Sequence, residues 1–74
     1  MRKYKDLIEE NHKILLGKPV LKGTRISVEI ILRKLSQGAS FENIKSMYPV
    51  ITDEQISACF EYAADIVANE EALV

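Results

Sequence analysis

From Ser27 onward, apolar residues recur with a helical period. Val28, Ile31, Leu32 and Leu35 stand at i, i+3, i+4 and i+7, which places them on one face of a helix. Ser27 suits its N-cap, and Gly38 suits its C-terminal stop. Ser40 then predicts a second, shorter helix with Phe41, Ile44 and Tyr48 inward, halted by Pro49. Thr52, with Gln55 three residues later, forms a capping-box signature that opens a third helix running to about Ala68. Its inner stripe reads Ile56, Cys59, Phe60, Ala63 and Val67, with Phe60 expected at the centre, packed on Leu32 and Ile44.

Before Ser27 that period is absent. Tyr4, Leu7 and Ile8 fit one helical face, yet the same stretch fits a strand. Ile14-Leu15-Leu16, Val20-Leu21 and Thr24-Arg25-Ile26 are short β-prone pieces, separated by Gly17-Lys18-Pro19 and Lys22-Gly23. Such spacing predicts extended chain with turns and an edge hairpin, with Gly23 at positive φ. The expected fold class is therefore mainly α, in one domain. Residues 1–26 form an extended or β N-terminal segment, 27–68 a three-helix bundle of helix-turn-helix pattern, and 69–74 an acidic C-terminal end.

Composition adds a partner to this picture. Apolar residues make up 47% of 74 residues, generous for a chain that buries only about 60–65% of its unfolded surface. Tyr4, Leu7, Ile8, Ile14, Leu15 and Leu16 present more apolar surface than one short segment can bury against three helices. They are the expected interface of a homodimer, through an open strand edge. A single cysteine excludes an intrachain disulfide, and no apolar run approaches a membrane span, so the expected compartment is the cytoplasm with no membrane partner.

Charge is divided along the chain. The net charge is −1, but residues 1–50 hold all ten Lys and Arg against five acids, and residues 51–74 hold six acids and no Lys or Arg. The split suggests a basic face for an anionic partner and an acidic face for a basic one. Lys18, Lys22, Thr24 and Arg25 are the candidate nucleic-acid contacts, meeting phosphates from the extended segment. Arg25 has a competing reading, as an ion pair with an acid of the third helix. Asp53 and Glu54 in that helix's first turn oppose a phosphate backbone.

Catalytic chemistry finds little support. Cys59 lies on an inner stripe with no basic neighbour in sequence, as a buried structural thiol does. His12 is the only histidine, which leaves no metal set, and Gly17-Lys18 is not a phosphate loop because His12 and Pro19 stand where Gly and Ser or Thr are required. The expectation is a non-enzymatic protein without a cofactor, catalytic residue or metal site.

The run Leu16-Gly17-Lys18-Pro19-Val20-Leu21-Lys22-Gly23-Thr24-Arg25-Ile26-Ser27-Val28 strongly resembles the Domain of Unknown Function 433 family of small prokaryotic proteins. Gly38-Ala39-Ser40, Tyr48-Pro49, Thr52 and Tyr62-Ala63 continue the match, over about residues 8–65. Leu16 replaces a frequent glycine, and Ser27 stands where proline is common. The resemblance implies a homeodomain-like or winged helix-turn-helix fold. It also implies an antitoxin of a type II toxin–antitoxin pair that neutralises a PIN-like ribonuclease toxin and binds its own promoter DNA. The alternative is a homo-oligomeric protein-interaction module without DNA affinity.

Overall fold

The computed structural model describes the backbone of residues 4–72 and the side chains of residues 4–69. Of the expected acidic end over 69–74, the backbone of 69–72 continues the last helix past its expected end near Ala68, and only 73–74 lie outside the described backbone, as does Met1-Arg2-Lys3. The chain runs through α1 (Tyr4–Leu7), β1 (Ile8–Glu10), a 3-10 turn (Leu15–Gly17), β2 (Pro19–Leu21), α2 (Val28–Ser36), α3 (Phe41–Met47) and α4 (Asp53–Ala72). A mainly helical fold with a short extended N-terminal part is thus what the chain forms.

The N-terminal segment takes both conformations its pattern allows, a turn of helix and then a strand. β1 and β2 pair antiparallel, with Ile8 opposite Leu21 and Glu10 opposite Pro19. On its other side β2 meets the chain again, through a bridge between Val20 and Ser27 and a 2.9 Å bond from Leu21 N–H to the Ile26 carbonyl. Gly23 makes the reversal possible at φ 80.

Local capping sets the helix boundaries. The Ser27 hydroxyl accepts from Ile30 N–H at 3.1 Å and opens α2. A Schellman arrangement closes it, with Gly38 at φ 97, Gly38 N–H donating to Leu35 O and Ala39 N–H to Lys34 O, each at 3.0 Å. Ser40 and Asn43 cap α3 reciprocally, and Thr52 and Gln55 do the same for α4.

The core gathers Leu21, Val28, Ile31, Ile44, Ile56 and Cys59, all essentially without solvent contact. Val28, Ile31 and Ile44 are buried as the periodicity predicts, with Leu32, Leu35, Phe41 and Tyr48 packed against them. Phe60 is a correction: it is 47% exposed and stacks on Phe41, with ring centroids 6.3 Å apart, instead of filling the centre. The reason is α1. Tyr4 sets its ring edge-on to Tyr62 at 5.7 Å and donates to Asp65 at 2.7 Å, so α1 covers the flank of α4 that carries Tyr62. The buried arc of α4 turns toward Ala58 and Tyr62, and Phe60 turns outward.

Helix lengths supply a second reason. α4 has 20 residues and is about 30 Å long, while α2 and α3 have nine and seven. Neither can cover the far half of α4, where Ile66 and Val67 stay exposed. Ile44→Ala should therefore destabilise the protein by about 2–5 kcal/mol, and Phe60→Ala by about 1–2 kcal/mol, because only part of the ring is withdrawn from water. Urea unfolding of the two variants beside the wild type measures the difference; equal losses would place Phe60 in the core.

Candidate functional site

Three surfaces collect the residues able to bind. The first is the turn after β2. Its Thr24 is committed to the fold: the hydroxyl donates to Leu21 O at 2.7 Å and accepts from Ile26 N–H at 3.0 Å. The backbone there is also used, since Thr24 N–H bonds Leu21 O, Lys22 N–H bonds Leu7 O, and Gly23 N–H reaches a Glu9 carboxylate oxygen at 3.4 Å. The Lys22 and Arg25 side chains are exposed. Among the described residues Arg25 makes no ion pair, so the pairing with an acid of α4 within the subunit is not formed. Lys18 is held apart from them, bridging to Glu29 at 3.2 Å. Glu29 also accepts from Arg33 at 3.1 Å, and Arg33 and Lys18 together hold its carboxyl below the usual range.

The second surface is the outer face where α3 meets α4. The Phe41–Phe60 stack stands on it. Asp53, seven residues before Phe60, lies on the same face of α4. Lys45 ties the two helices, at 2.8 Å from Asp53 and 3.2 Å from Glu42, and these carboxylates push its pKa up. Every other charge that α4 carries is acidic.

The third surface is an open apolar groove of about 460 Å³ between α2 and the far half of α4. Leu32, Ala63, Ile66 and Val67 form its walls, with Pro19 at one side and Glu29 and Arg33 at the rim. Tyr62, which also lines it, donates a hydrogen bond to Glu10. Burial, and then that carboxylate, push the Tyr62 hydroxyl up to about 12.

The expected dimer residues separate into two groups. Ile8 is buried in the chain's own core, and Tyr4 and Leu7 pack against it. Leu15 and Leu16 are exposed, with Ile14 half-buried between. Sequence reasoning missed Ile66 and treated Phe60 and Val67 as core. The available signal was the mismatch between one long apolar stripe and two short covering helices. Among the described residues, no helix is long and apolar enough to cross a membrane, and no three His, Cys, Asp or Glu side chains are placed to share a metal.

The profile of the family described as "Protein of unknown function (DUF433)" matches residues 8–63. Among solved structures, this chain is similar to the crystal structure of a DUF433 member protein from Anabaena variabilis ATCC 29413. The likeness has a TM-score of 0.80 at 24% identity and covers 92% of this chain and 67% of the other, a similarity of fold. No curated protein matches the sequence.

Burial raises the Cys59 thiol from its ordinary 9.0 to about 11, so the folded protein should not react with a disulfide reagent at pH 8 until denaturant is added. The sign for stability follows. The neutral thiol is favoured in the folded state, so its contribution is complete below pH 9 and is lost as the pH rises toward 11. Urea midpoints that stayed level across that window would contradict it.

Proposed function

The chain belongs to the DUF433 family of proteins of unknown function, and we propose that it is a non-enzymatic antitoxin that neutralises a PIN-like ribonuclease. The observation that supports this reading best is the exposed Phe60 ring, stacked on Phe41 of α3 and carried by α4, a helix whose charges are all acidic. A ribonuclease must hold an anionic backbone, and its cleft is basic for that reason. An acidic helix with an aromatic anchor complements such a cleft: the rings supply the desolvated contact, and the carboxylates orient it. Co-expression with a small nuclease encoded beside the gene should give a stable complex in which RNA cleavage is suppressed. Phe60→Ala should weaken inhibition at least about tenfold while folding is kept. The absence of a complex, or full inhibition by the variant, would refute the proposal.

A second reading, promoter binding, rests on the exposed Arg25 and Lys22 side chains beside the β2 turn. In it the basic turn grips phosphates and the acidic first turn of α4 stays clear of the duplex. Arg25→Ala should then leave the melting temperature unchanged, weaken binding to the promoter fragment, and lower the salt slope by about one. Mobility shifts at two salt concentrations, with and without the nuclease, measure this. No shift by the wild-type protein in either case leaves a protein-interaction module without DNA affinity.

A further inference from the structure

We propose that the groove between α2 and α4 receives the Leu15–Leu16 turn of a second copy, and that two chains join reciprocally through this contact about a two-fold axis. Among the described residues the groove stands open. Val67 is 54% exposed on its α4 wall, beside Ile66, and Leu32 faces them from α2. The chain also carries a projection of matching chemistry. Leu16 is 91% exposed and Leu15 is exposed beside it, at φ 57 and φ 50. Left-handed backbone is unfavourable for a leucine, and an aliphatic side chain held out into water in that conformation does nothing for its own fold.

The knob stands next to the groove along the chain. Lys18 N–H donates to Leu15 O at 3.2 Å and closes the turn, and the next residue, Pro19, already lines the groove. The Lys18 ammonium bridges to Glu29 on the rim at 3.2 Å. This adjacency is what a closed two-fold contact requires, because one patch must carry both complementary parts. Charge agrees with it. Glu29 and Arg33 on the rim are paired with each other, and Lys18 with Glu29, so the free charges near the contact are Lys13 before the leucine turn and Glu10, bonded to Tyr62 of the groove lining. In the proposed contact Lys13 of one chain is the base that approaches Glu10 of the other.

Strand pairing is the weaker route to the same dimer. β1 has only three residues, two of them glutamates, and the apolar residues before it already pack on the chain's own core. The contact is independent of the Phe41–Phe60 face, so dimerisation and nuclease binding can be tested separately. Light scattering at tens of micromolar should give twice the 8.4 kDa chain mass for the wild type. Leu16→Gly should give a folded monomer by circular dichroism, since glycine suits the left-handed position, and its melting temperature should no longer depend on concentration. Ile66→Glu, on the opposite side of the contact, should also give a monomer, with folding checked by circular dichroism. A monomeric wild type, or a dimer that survives Leu16→Gly, would overturn the proposal. Nuclease inhibition by Leu16→Gly should remain, and its loss would overturn the separation by showing that the leucine turn serves the nuclease instead.

Discussion

Val20 and Leu21 are fully buried, and the chain crosses them on both sides: β1 pairs with one edge of β2, and Ile26 and Ser27 return along the other. Of the two, Leu21 is packed into the core with Val28, Ile31 and Ile56, and it joins a segment without helical period to the helical body. Lys22 N–H bonds Leu7 O just beyond β2, which sets the end of α1. With α1 so placed, Tyr4 reaches Tyr62 and Asp65, and the buried arc of α4 follows. The orientation of the longest helix is thus decided by its contact with the first helix of the chain.

The same arrangement leaves apolar surface open. A 20-residue helix packed on helices of nine and seven residues cannot be covered along its length. Its exposed residues fall on two faces with different surroundings. One is aromatic and bordered by acids; the other is an aliphatic groove beside an aliphatic turn. The proposed nuclease and dimer contacts each rest on one of these two faces.

Charge segregation along the sequence becomes only partly spatial. Lys18 and Lys45 carry basic charge to acids of their own chain, at Glu29 and at Asp53 and Glu42. The exposed ends of these pairs contribute little to stability, because water screens them. What remains basic and unpaired among the described side chains at the β2 turn is Lys22 and Arg25, a smaller footprint than the sequence count suggests.

The sequence by itself determined the features that depend on near neighbours. Ser27, Thr52 and Gln55, Gly23 and Gly38 take their capping and turn roles because each acts on backbone groups within a few residues. Val28, Ile31 and Ile44 face inward because a helical period orients them before any partner is chosen. The turn at Leu16, where the resembled family often has glycine, was legible as an unusual position, though not as a leucine left in water. Only the tertiary structure decided which part of the α4 stripe is buried, that Thr24 spends its hydroxyl on the turn, and that Tyr4, Leu7 and Ile8 serve the chain's own core. Phe60, Ile66 and Val67 have the sequence character of core residues and stand exposed. Periodicity defines an apolar face, but how much of that face is covered depends on the length and placement of elements that are distant in sequence.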